Sequence, residues 1–258
     1  MKMSKPFYVE DTNLSRAWGQ AFLEMTRSGV DEITPLVVIV TGFIDGQPVE
    51  IPSIRRALDD TLESKGKFSC QTVASTIFPR SQWNPNLNRE ILFRRYLRTS
   101  PLIRKRDRHN SYGTYFERLI DFGPQHKNQL NHIIETRLIH GNNRRSAMQA
   151  SIFDPNNDHT DQRQRGFPCM QHVTFAPQGD KGLVVTGFYA TQYMFERAYR
   201  NYLGLCDLGH FMAHELGRQL TQLTCFTGIA LREKSIDQKS IEGLRDHIKR
   251  AMNEANLD

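Results

Sequence analysis

The spacing of apolar positions divides the chain into recognisable strands and helices. Leu36 to Thr41 is an unbroken apolar, largely β-branched run, which predicts a buried strand; a turn at Asp45-Gly46 follows, and the apolar pattern resumes over Pro48 to Ile51. Ahead of it, Leu14, Trp18, Ala21, Phe22 and Met25 recur with helical spacing behind Asn13, a good N-cap, with Gly29 beyond the end. Ser53 is placed to cap a helix reaching about Glu63, with Ile54, Ala57, Leu58 and Leu62 on one face. Phe68 to Phe78 alternates loosely, contains Cys70 and reads as a strand ending at Pro79. Asn86 or Asn88 opens a helix to about Thr99, and the basic stretch Pro101 to His109 reads as a surface loop.

In the second half, the pattern predicts a helix from Gln125 to Ile139, ending at His140-Gly141, and a strand from Ala147 to Phe153. Gln171 to Phe175 and Leu183 to Thr191 are rich in Val, Thr, Phe and Tyr, and the glycines of the Pro177 to Gly182 turn join them as a hairpin. A helix carrying Asn201, His210 and His214 comes next, then a strand over Leu220 to Ala230 and an amphipathic helix over Ser240 to Met252. Strands and helices so interleaved predict an α/β (α+β) chain with one domain over residues 1–258.

Composition narrows the class. With 38% hydrophobic and 24% charged residues the chain is globular, and no apolar run of about 18 residues marks a membrane span. Met1 to Asp11 is charged and lacks a signal-peptide core, so a cytoplasmic location is the expectation. Cys70, Cys169, Cys206 and Cys225 are scattered and form no CxxC, which argues for free thiols over a zinc site or a disulfide framework. A formal net charge of +6, with arginines gathered over Arg89 to Arg108, at Arg144-Arg145 and at Arg163 and Arg165, favours anionic partners such as nucleotides or nucleic acid. Ile91-Leu92-Phe93 interrupts the first of these runs, so the solvated face of an amphipathic helix explains it equally well.

The residues that carry chemistry are concentrated from Gly166 to His214. Pro168 cannot extend a central ladder, which puts Cys169 at a strand rim where a thiol can face a cavity and act as a nucleophile; a small buried hydrophobe is the alternative. Asn201 offers one acceptor and one donor to a base edge, or serves as a helix N-cap. His210 and His214 stand at i, i+4 with no HExxH pattern and no further ligand, so packing histidines, with no metal, are the reading.

Pro168-Cys169, the hairpin, Tyr189, Asn201 and the helix with His210-Phe211-Met212-Ala213, preceded by Tyr112-Gly113 and the pair Arg144-Arg145, resemble the thymidylate synthase superfamily, which includes the pyrimidine hydroxymethylases. The resemblance spans roughly residues 110 to 225, with a weaker echo in the first 60. It implies a large mixed sheet with helices on one face, and a homodimer formed sheet to sheet. It also implies that Cys169 adds to C6 of a pyrimidine nucleotide so that C5 accepts a methyl or hydroxymethyl group from methylenetetrahydrofolate. By the same resemblance Asn201 pairs with the base, Tyr112 and Tyr189 line the site, and Arg144 and Arg145 reach the phosphate from the partner subunit.

Several positions depart from that pattern. Ala57, with Asp59, Asp60 and Glu63 nearby, stands closest to the place of a catalytic glutamate; Ala190-Thr191-Gln192 replaces a phosphate-binding arginine, and Met194 replaces an aspartate that grips the folate pterin. Met170 takes the place of a histidine after the nucleophile, and Phe226 to Leu231 lacks the residues that hold the sugar. Glu196, Arg197 and Arg200 are close enough in sequence to act as substitutes. A second reading is therefore a protein of the same fold that binds nucleotide or nucleic acid without the reaction.

Overall fold

The computed structural model describes residues 5–107, 110–139, 144–161, 167–233 and 236–255. The helix end expected at His140-Gly141, and Gly166, Arg163 and Arg165, lie outside the described residues. The chain runs β1 (Phe7–Asp11), α1 (Leu14–Met25), β2 (Glu32–Ile33), β3 (Leu36–Val40), β4 (Phe43–Ile44), β5 (Gln47–Pro48), α2 (Pro52–Glu63) and α3 (Cys70–Ala74). It continues through α4 (Arg89–Arg106), α5 (Tyr115–Ile120), α6 (Gln129–Leu138), β6 (Gln149–Ser151) and α7 (Pro155–Asp158). The last part is β7 (Met170–Gln178), β8 (Gly182–Tyr193), α8 (Tyr199–Glu215), β9 (Gln219–Leu231) and α9 (Gln238–Glu254).

A seven-stranded mixed sheet in the order β1-β3-β9-β8-β7-β6, with β2 on the end of β9, carries the fold. The central pair β8 and β9 runs parallel and is joined by α8 as the crossover, while β7 and β8 form the expected antiparallel hairpin. Side chains alternate across the sheet: Leu36, Val38 and Val40 of β3 are buried and Val37 and Ile39 only half so. α1 and α8 pack over the buried face. They come close there because a Cβ on Gly187 of β8 would lie 2.6 Å from Leu205, and one on Gly209 of α8 would lie 2.8 Å from Val185. Trp18, Phe22 and Tyr199 interlock α1 with α8.

Three predicted elements are corrected. Phe68 to Phe78 holds a helix, α3, instead of a strand, because the Ser69 hydroxyl accepts the Thr72 N–H at 3.3 Å and caps it. α2 starts at Pro52 with Ile51 at its N-cap position, so Ser53 is the second helical residue and not the cap. α4 runs on through Pro101 to Arg106, where a loop was expected. The Leu97 carbonyl, which a residue-101 N–H would have satisfied, accepts the Ser100 hydroxyl at 3.4 Å instead.

Candidate functional site

Cys169 stands one residue before β7, where its carbonyl accepts the Ala190 N–H at 3.0 Å. Immediately after it, the β7–β8 register slips between Met170 and His172; such bulges re-aim side chains at sheet edges and beside sites. The thiol is half-buried. Burial pushes its pKa up, and the Arg197 guanidinium pulls it down by favouring the thiolate. An arginine therefore acts on the sulfur electrostatically, although desolvation is the larger influence.

Tyr115, the first residue of α5, is held in place by a capping box between Thr114 and Glu117. Its hydroxyl lies against the backbone N–H groups of Met170 and Cys169, and its pKa is raised chiefly by burial and then by the Cys169 thiol. Tyr189 pairs with Met170 across the hairpin and is fully buried. Its hydroxyl makes no hydrogen bond, and neither do the buried Tyr202 hydroxyl and Gln192 Nε2. Buried polar atoms in folded proteins are nearly always paired, so these three orphans, gathered around Cys225 with Tyr189 also near Cys169, are unusual, as are those at Gln82, Trp83, Asp207 and Arg245 elsewhere among the described residues.

Asn201 is 3% exposed and its amide has no hydrogen-bond partner among the described residues. It is no N-cap. The chain enters the helix earlier, through a π-helical turn over Met194–Ala198 that leads directly into α8. That turn is anchored from a distance: the buried Glu233 carboxylate accepts the N–H groups of Phe195 at 3.1 Å and Glu196 at 2.5 Å. Asn201 lies one turn beyond Arg197, and π-helical turns recur at functional sites because they re-aim the side chains they carry.

The remaining predicted residues are elsewhere in this chain. Tyr112 is 53% exposed ahead of α5, and its carbonyl accepts Arg118 Nε at 3.2 Å; Tyr115, not Tyr112, is the tyrosine at Cys169. Arg144 and Arg145 are exposed at a short 3₁₀ turn beside β6, with Arg144 against His132, Ile133 and Met148. The Met148 carbonyl accepts the Phe175 N–H, and six strand residues at about 3.3 Å each put Cys169 about 20 Å away along β7. Neither arginine belongs to the surroundings of its own chain's thiol. Asp59, the acid nearest to Ala57, caps α3 by accepting the Cys70 N–H at 2.6 Å.

His210 Nδ1 meets Gln47 Nε2 and Arg80 Nη1, each at 3.2 Å, and its ring packs edge-on to Trp83. Burial, then Arg80, lowers its pKa, so it is held as a neutral acceptor. Among the described residues no group of three His, Cys, Asp or Glu side chains converges on a metal position, and no helix is long and apolar enough to cross a membrane. Met194 is buried and its carbonyl accepts Trp18 Nε1 at 3.0 Å.

The pattern of residues missed has a simple cause. Tyr115 touches the backbone of Cys169 and Met170 from an element more than 50 residues away in sequence, so no local spacing marks it, whereas Arg197 is named from the sequence as a substitute for a lost arginine and the turn beginning at Met194 sets it four residues before Asn201. No known protein family matches this chain, and no characterised protein does.

Proposed function

We propose that the chain is a divergent thymidylate-synthase-like enzyme that transfers a one-carbon unit, methyl or hydroxymethyl, to C5 of a pyrimidine nucleotide through Cys169. The observation that carries this reading is a half-buried thiol at a bulged strand start, acted on electrostatically by Arg197, with Tyr115 against its backbone and Asn201 one turn along. C5 of such a ring is a weak nucleophile. Addition of the Cys169 thiolate to C6 moves the C5=C6 electron pair toward the C4 oxygen and makes C5 enolate-like. After C5 attacks a carbon electrophile, loss of the C5 proton expels the donor and leaves an exocyclic methylene; addition of water (giving hydroxymethyl) or of a hydride from the reduced donor (giving methyl) then expels the thiolate and restores the ring. Asn201, with a donor and an acceptor on one amide, suits the N3–O4 edge of uracil. Methylenetetrahydrofolate is the donor that the family resemblance implies; Met194 weighs against it, so the reading rests on the pyrimidine half of the reaction.

The test is release of tritium from C5-labelled pyrimidine nucleotides. Wild type is expected to release it and Cys169→Ser is not; equal release by both, or none by wild type, removes the enzyme reading. In the last case binding without reaction is the better account, and Ala57 in place of an acid together with a thiol pKa raised by burial favour it.

The same reading makes the protein a homodimer joined through the open sheet face. That face carries a row across the strands, Tyr8, Val37, Phe226, Phe188 and His172, in which the last three rings stack at 5.3 and 5.4 Å. Tyr8 is 57% exposed and the others half-buried, an apolar surface of the kind a partner covers. A dimer would also give Arg144 and Arg145 a thiol to serve other than their own. Sedimentation at micromolar concentration is expected to give twice the chain mass, and Phe188→Glu to give one; a monomeric wild type sinks this part of the reading.

A further inference from the structure

Arg200 is the most unusual charge in the molecule. It is 3% exposed, yet its Nε and Nη2 make no hydrogen bond and are sealed from solvent. These two nitrogens form the side-on edge of the guanidinium, the edge that holds two oxygens of one carboxylate or phosphate in a bidentate pair. Three residues earlier, half-buried Arg197 has no hydrogen bond or ion pair among the described residues either, and the two guanidinium groups repel one another. A buried charge is normally paired, because its lost hydration is not otherwise replaced.

The groups around this pair are engaged elsewhere. Glu196 is bridged to Lys67 at 3.1 Å, and the Asp59 carboxylate takes the Cys70 N–H. Arg55 is held by Glu50 at 3.1 Å and by Gln71 at 3.0 Å. The nearby Cys70 thiol is fully buried and its pKa is raised, first by desolvation and then by Asp59, so it is no counter-anion.

We propose that Arg197 and Arg200 together bind an oxyanion, a phosphate or carboxylate carried by the molecule that reacts at Cys169. The assignment to that molecule rests on the proposed function, because Arg197 is the residue common to both places: it acts electrostatically on the Cys169 thiol and stands three residues before Arg200. The case for an oxyanion is carried by the unpartnered fork of Arg200. Such a site lies within one chain, since Arg197 stands on the turn that leads into α8 and Arg200 at the start of α8 itself.

Thermal shift and calorimetric titration separate the alternatives. The probes are inorganic phosphate, deoxyuridine monophosphate against deoxyuridine, and tetrahydrofolate with its glutamate carboxylates. At a concentration a hundredfold above Kd, a bound probe is expected to raise the wild-type Tm by about 5 °C or more. Preference for the monophosphate over the nucleoside identifies phosphate as the group held; a response to tetrahydrofolate alone identifies carboxylate. Arg200→Met is expected to raise the basal Tm, since it replaces an unpaired buried charge by a chain of similar shape, while abolishing the probe response. Arg200→Lys keeps the charge but not the fork and is expected to weaken binding at least about tenfold. Arg197→Gln, on a half-buried residue, gives the same loss without disturbing the core.

The site is overturned if no probe stabilises wild type, if Arg200→Met lowers the basal Tm, or if wild type and Arg200→Met respond alike. Cys169→Ser is expected to retain the full probe response. If that response stands and tritium release fails in wild type, the oxyanion site survives and the transfer reaction does not.

Discussion

Two buried arginines in this protein are treated in opposite ways. Arg118, on α5, donates to both oxygens of Asp158 at 2.6 and 2.8 Å and to the Ile152 carbonyl at 2.9 Å, and Asp158 in turn accepts the Asp154 N–H. Arg200, at the start of α8, has the same fork and offers it to no residue. The fold can evidently satisfy a guanidinium when its role is to tie a loop to a helix. Leaving Arg200 unsatisfied next to Arg197 and the buried Cys70 thiol is the difference that the proposed oxyanion site would account for.

The sharpest way to break the contrast is to make Arg118 resemble Arg200. Asp158→Ala strands a buried guanidinium and is expected to cost about 3–5 kcal/mol in urea unfolding; a loss below about 1 kcal/mol would mean that pairing does not distinguish the two sites. A second effect concerns the anchor of the Arg197 turn. Burial pushes the Glu233 carboxyl from its ordinary value of 4.5 up to about 7, so the folded state holds that proton more tightly than the unfolded state. Its stabilisation is therefore complete below about pH 4.5 and is lost as pH rises through about 7. Asp207, pushed up to about 6 by burial, acts in the same direction over the lower part of the window. The combined fall is expected to be on the order of 4 kcal/mol between those limits, and Glu233→Gln should remove roughly half of it. An unchanged slope in that variant would remove Glu233 from the account. The smallest effect expected is the gain from Arg200→Met, about 1 kcal/mol, opposite in sign to the loss at Asp158.

Much of the fold was legible because long periodic segments announce themselves. β3, the β7–β8 hairpin, β9, α1 behind Asn13 and α9 all lie where alternation or helical spacing put them. Short or chemically disguised elements were not legible. α3 is five residues long, too short for a period to show, and Ser100 conceals the break that Pro101 should have made in α4. The site divides in the same way. Cys169 is placed at a strand start by Pro168 and the strand that follows, and Arg197 is named from the sequence, whereas Tyr115 reaches Cys169 from behind a capping box and the turn that carries Arg197 is anchored by Glu233, 37 residues from Glu196 in sequence. Contacts set by tertiary structure leave no local period to read.

Trp18 gives the molecule a built-in optical probe. Its indole N–H is bonded to the carbonyl of Met194, the first residue of the turn that bears Arg197, and its ring packs against Phe22 and Tyr199. The chain has two tryptophans, so replacing Trp83 by phenylalanine would leave emission that arises from this position alone. Fluorescence wavelength and quenching in that background would then register any rearrangement of the turn in real time, without a label and without turnover.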